Sequence, residues 1–110
     1  MMIAITTTTN QENTQLDERF GRAEYFYIFD TNEKKGFFAE NIAKFENEGA
    51  GGKAAKLVFD NKATILITGE LGNKAKTALN AFEIKSYSFG DSKTINEVIK
   101  KFENNMLTEI

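Results

Sequence analysis

The order of apolar periodicities along the chain is what most limits its fold. The run ATILIT, Ala63–Thr68, reads as a buried strand. Before it, Ala50, Ala54, Leu57 and Val58 fall at the spacing of an amphipathic helix. After it, Leu71, Ala75, Ala78, Leu79 and Phe82 repeat that spacing, and IKSY, Ile84–Tyr87, reads as a further short strand. A strand that reaches the next one through a helix has crossed over the sheet, and such crossovers join parallel strands.

The N-terminal third reads differently. MIAITTT, Met2–Thr8, is a short β-rich run, and Asn10–Arg22 is a polar loop with one late glycine. AEYFYIFDT, Ala23–Thr31, is apolar on both parities, as in a strand covered on both faces. NEKKG then turns the chain, and Phe37–Ile42 pairs back as a hairpin strand. Near the C-terminus, Thr94 and Glu97 form a capping box ahead of Ile95, Val98, Ile99 and Phe102. The expected architecture is α/β, one domain over residues 1–110. A central five-stranded mixed sheet, with an antiparallel start and then parallel strands, is flanked by about three helices.

Alternating strand directions bring Asn10–Arg22, Glu46–Lys53, Gly69–Asn73 and Phe89–Ser92 to one edge. This is the carboxyl edge of the parallel strands, where open α/β sheets bind ligands. Gly49, Gly51 and Gly52 lead directly into a helix there. Helix N-termini leave amide N–H groups without helical partners and carry partial positive charge. Glycine lets an anion reach those amides without a Cβ in the way. Arg19, Arg22 and Lys53 flank the same edge, and Thr68, Gly69, Gly72 and Asn73 open the following helix. Phe20 is a loop aromatic able to close over a ligand. The sequence equally allows a turn and tight packing at the glycines, pairing of Arg19 and Arg22 with Asp17 and Glu18, and ordinary capping at Thr68.

Composition narrows the chemistry. Net charge is −2, so no general attraction to nucleic acid or anionic lipid is expected, and any anion site must be local. Cysteine and histidine are both absent, which removes thiolate and imidazole chemistry from the chain itself. Lys53 is followed by Ala54 rather than Ser or Thr, so the glycine segment is not a phosphate-binding Walker loop. Metal-dependent nuclease chemistry needs several carboxylates to hold its ions, and the first strand, IAITTT, has none. The reading is therefore non-enzymatic. A cytoplasmic location is expected, since no signal-peptide pattern or long apolar run is seen.

ERFGRAEYFYIFD, ENIAKFENEGAGGKAAKLVFD, ATILITGELGNKAKTALNAFEIKSY and TINEVIKKFENNML, in this order and spacing, resemble the dinitrogenase iron–molybdenum cofactor biosynthesis family. This group comprises small domains similar to NifX and the C-terminal part of NifB. The resemblance runs from Met1 to about Leu107. It implies a ribonuclease-H-like fold and the binding or carriage of metal–sulfur clusters or their precursors. The family's loop glycines match Gly21, Gly51, Gly52, Gly69 and Gly72, its basic loop residue matches Arg22, and its Asn matches Asn41.

Departures are informative. Arg19 stands where many members have histidine, and Asn73 where many have proline. The resemblance then implies an iron–sulfur or iron–molybdenum-type cluster held without Cys or His, by amides, Arg19, Arg22 and Lys53, while keeping its own ligands. Expected partners are metallocofactor-assembly or acceptor proteins, with no nucleic acid and no membrane, and the chain as a monomer or weak homodimer. The alternative is a protein-interaction or regulatory domain of the same fold that has lost cluster binding.

Overall fold

A computed structural model describes residues 1–110. Its elements are β1 (Met2–Thr7), β2 (Tyr25–Asp30), β3 (Lys35–Glu40), a 3-10 turn (Ile42–Phe45), α1 (Ala50–Asp60), β4 (Ala63–Thr68), α2 (Asn73–Ala81), β5 (Lys85–Ser88), α3 (Ile95–Glu103) and β6 (Thr108–Glu109). The sheet order is β3-β2-β1-β4-β5-β6. β1, β4 and β5 run parallel, while β2, β3 and β6 each pair antiparallel to their neighbour.

The period of two in the central strands divides the core into layers. Ala4 and Leu66 face α1 and α2, where Ala54, Ala55, Val58, Ala75 and Leu79 meet Phe26 and Ile28. Ile3, Ile5, Ile65 and Ile67 face the other way, against Ile95 and Val98 of α3. Burial on both faces explains the unbroken apolar character of ATILIT. Each fully buried Ile or Leu here contributes about 1.5–3 kcal/mol.

The sheet has six strands rather than five. Asn105, at φ 57, turns the chain after α3, and Thr108–Glu109 then pairs with Tyr87 and Ser88. A two-residue strand is too short to show a periodicity. β3 also ends two residues earlier than its apolar run suggested. Asn41 caps the 3-10 turn, its side chain accepting from the Ala43 amide at 3.2 Å, so Ile42 leaves the sheet. α2 begins at Asn73, leaving Leu71 in the loop before it. No helix is long and apolar enough to cross a membrane.

Candidate anion site at the carboxyl edge

The loop after β1 is fastened across the ends of β1 and β4. The Asp17 amide donates to the Thr6 carbonyl at 2.9 Å, and the Glu70 amide to the Glu18 carbonyl at 2.7 Å. The Thr6 and Thr68 hydroxyls lie 2.9 Å apart; Thr6 donates to the Asp17 carbonyl at 2.6 Å and Thr68 to that of Arg19 at 3.4 Å. Thr68 is fully buried. Its hydroxyl therefore secures the loop instead of meeting a ligand. A Cβ on Gly69 would lie 2.7 Å from the Glu18 Cα, so this glycine serves loop packing. Phe20 is also buried, with its ring 5.7 Å from that of Phe26. It anchors the loop in the core and does not close over a ligand.

Asn41 fixes the same loop from below. Its buried amide donates to the carbonyls of Gly21 at 3.0 Å and Ala23 at 2.9 Å. Gly21 is thereby pressed against α1: a Cβ there would lie 3.0 Å from the Gly51 nitrogen. A Cβ on Gly51 would in turn lie 2.9 Å from the Ala75 Cβ. The first turns of α1 and α2 thus touch, with Gly21 beside them.

Both of these helices start without a side-chain cap. α1 follows Gly49, which sits at φ 73, and its first helical bond is from Lys53 N to Gly49 O. The amides of Ala50, Gly51 and Gly52 are left without helical partners. α2 follows Gly72, and Lys76 N closes its first turn, leaving Asn73, Lys74 and Ala75 in the same state. Around Gly52 and Gly72 the space is open. α3 is different: the Thr94 hydroxyl accepts from the Glu97 amide, and the Glu97 carboxylate accepts from the Lys93 amide. The structure thus brings two bare helix N-termini together, and the third is closed.

The basic residues are less free than the sequence suggested. Arg19 donates from Nε and from Nη2 to the two oxygens of buried Asp17, each at 3.0 Å. That hydrogen bond, and then the charge of Asp17, raises the Arg19 pKa above its ordinary value. Arg22 donates to the carbonyls of Lys44 and Glu46, and Lys53 pairs with Glu46 at 2.9 Å. Arg19 and Lys53 still expose more than half of their side chains. Arg19 and Arg22 line a cleft of about 320 Å³ with Glu24, Lys44 and Phe45. Lys44 was not legible in the sequence, since nothing there pairs it with an element twenty residues away; its hydrogen bond to Glu24 raises its pKa. No group of three or more Asp and Glu is placed to hold a metal ion.

The comparisons agree with this architecture. A family profile described as dinitrogenase iron-molybdenum cofactor matches residues 1–105, and the chain belongs to that family. It is similar to the apo form of the orange protein from Desulfovibrio gigas, at 28% identity and a TM-score of 0.93, covering 99% of this chain and 92% of that one. It is also similar to a candidate NifB protein from Thermotoga, of the DUF35 family. There the identity is 30% and the TM-score 0.85, over 98% of this chain and 91% of that one. No curated protein sequence matches the chain.

Proposed function

We propose that this protein is a non-enzymatic carrier of an anionic metal–sulfur cluster, or of its precursor, in metallocofactor assembly. The observation that carries the reading is the contact between the bare N-termini of α1 and α2 at Gly51 and Ala75. The two ends therefore bring bare amides and partial positive charge close together, which suits an anion. A cluster that keeps its sulfide ligands needs hydrogen-bond donors and charge, and no bond from the protein to its metal. That matches a donor set of amides at Gly51, Gly52 and Asn73 with Arg19, Arg22 and Lys53 at the rim. Family membership supports cofactor biosynthesis as the setting.

Tetrathiomolybdate is a suitable probe, and anaerobic equilibrium dialysis with the full chain tests the reading. Gly52→Asp puts a carboxylate into open space at the helix start. The helix itself tolerates an acid there. Saturable binding that the variant loses, with its thermal stability kept, is the expected result. Equal affinity in both proteins would rule out the helix-end site.

A second reading has its own observation. Ile42 and Phe45 are 64% and 73% exposed on one short turn. In a 3-10 turn, positions i and i+3 share a face. Such a pair suits docking to another protein, as a protein-interaction or regulatory domain would require. A stable partner in pull-down, without tetrathiomolybdate uptake, would favour it.

A further inference from the structure

β3 forms one edge of the sheet. The Asn41 amide donates to the Glu24 carbonyl, and the Thr31 amide donates to the Met1 carbonyl. Bonded pairs alternate along an antiparallel ladder. With Phe26 opposite Ala39 and Ile28 opposite Phe37, those residues turn their N–H and C=O groups toward each other. Gly36, Phe38 and Glu40 therefore direct theirs outward, away from the sheet. The strand has no proline and no bulge, and its charged residues, Lys35 and Glu40, stand only at its two ends.

We infer that a second copy of this chain pairs with β3, antiparallel and in register about Phe38. A two-fold axis normal to the sheet requires residues of the same face to oppose each other. Among such registers, the one placing Phe38 against the partner copy's Phe38 also sets Gly36 against Glu40. All three outward residues then exchange donor and acceptor. On the α1 face, Phe37, half exposed in the single chain, comes beside the smaller Ala39 of the other copy. The core rows begun by Phe26 and Ile28 continue across the junction. On the α3 face the Tyr27–Phe38 pair, with centroids 4.8 Å apart, meets its own copy to make a ladder of aromatic rings.

The polar end of the ladder fits as well. Tyr27 leans over Gly36, so that a Cβ there would lie 2.4 Å from its hydroxyl oxygen. This hydroxyl has no partner within its own chain. In the proposed register it reaches the residue opposite Gly36, which is Glu40 of the second copy, a carboxylate able to accept from it. The large-beside-small pair and the hydroxyl placed beside Glu40 both suit this register.

Sedimentation equilibrium of the full chain, with amide hydrogen exchange, tests the inference. One strand pairing falls in the weak class of interfaces, under ~1,200 Å², so concentrations up to about 1 mM are needed. The expected result is a dimer in which Gly36, Phe38 and Glu40 amides gain protection as concentration rises. Phe38→Pro removes an outward N–H together with the ring packed on Tyr27, breaks no bond to β2, and should leave a less stable but folded monomer. Phe37→Lys should also give a monomer, by placing charge at the junction. Tyr27→Phe should weaken association about 5-fold by removing one hydrogen bond. A monomer at every concentration, a dimer indifferent to both Phe37→Lys and Phe38→Pro, or protection appearing at β6 instead would overturn it.

Discussion

Gly51 and Ala75 are in such close contact that a methyl group on Gly51 would lie 2.9 Å from the Ala75 Cβ. This one contact sets the distance between the ends of α1 and α2. Gly51→Ala should destabilise the protein by about 1–3 kcal/mol, as overpacking does. Chemical denaturation measures the loss. The variant should also bind tetrathiomolybdate more weakly, because the two N-termini are pushed apart.

Gly72→Ser should separate stability from binding in the opposite sense. Gly72 has φ −76 and ψ 164, a backbone that any residue adopts, and nothing lies near its missing Cβ. A serine there can cap α2 and should stabilise the protein by a few tenths of a kcal/mol up to about 1. The same hydroxyl accepts from the Lys74 or Ala75 amide and so offsets part of the positive charge at the end of α2 that the proposed anion would use. A higher melting temperature with reduced anion uptake is expected, and calorimetry with dialysis reads both.

Asn41→Asp should be among the most damaging single changes. The native side chain donates to buried carbonyls at Gly21 and Ala23 and accepts from the Ala43 amide. A carboxylate has no donor for those carbonyls and places negative charge against them. The expected loss is about 3 kcal/mol or more, measured by denaturant titration, since an unsatisfied buried group costs 1–3 kcal/mol. The loop carrying Arg19, Gly21 and Arg22 should loosen with it.

These residues mark how far the sequence could be read. The core layers were legible because Ile3, Ile5, Ile65 and Ile67 alternate with Ala4 and Leu66 in period two. The meeting of four loops at one edge followed from strand direction alone. The roles of Thr68, Gly69 and Phe20 were not legible. Each depends on where the long loop lands, and a polar loop has no periodicity to give its path. Arg19 posed the same difficulty: pairing with Asp17 and facing a ligand need the same residue types. β6 escaped because its pairing rests on two residues placed by the turn at Asn105.

Helix endings were obscured for a separate reason. α1, α2 and α3 are followed by Lys62, Glu83 and Asn105, all left-handed, where glycine is the usual residue. A side chain at such a backbone costs about 1–2 kcal/mol, partly offset by the greater unfolded-state freedom of glycine. Lys62→Gly and Glu83→Gly should each stabilise the protein by about 0.5 kcal/mol. Thermal unfolding of the double variant should show the two gains adding, because the sites lie in different turns.

Tyr27 gives the pH dependence a defined direction. Burial first, and then the charge of Glu12, raises its pKa above the ordinary tyrosine value of 10.0. The folded protein thus keeps this proton longer than the unfolded chain does. Stability from the neutral ring is complete below about pH 10 and falls as pH rises through the folded-state value. Absorbance titration at a tyrosinate wavelength should show a late ionisation step belonging to Tyr27. Tyr27→Phe should remove that late step and flatten the alkaline loss of stability. Glu12→Gln should move the step to lower pH without removing it, because burial is the larger cause. If Glu12→Gln abolished the shift entirely, charge and not burial would be the controlling force at this ring.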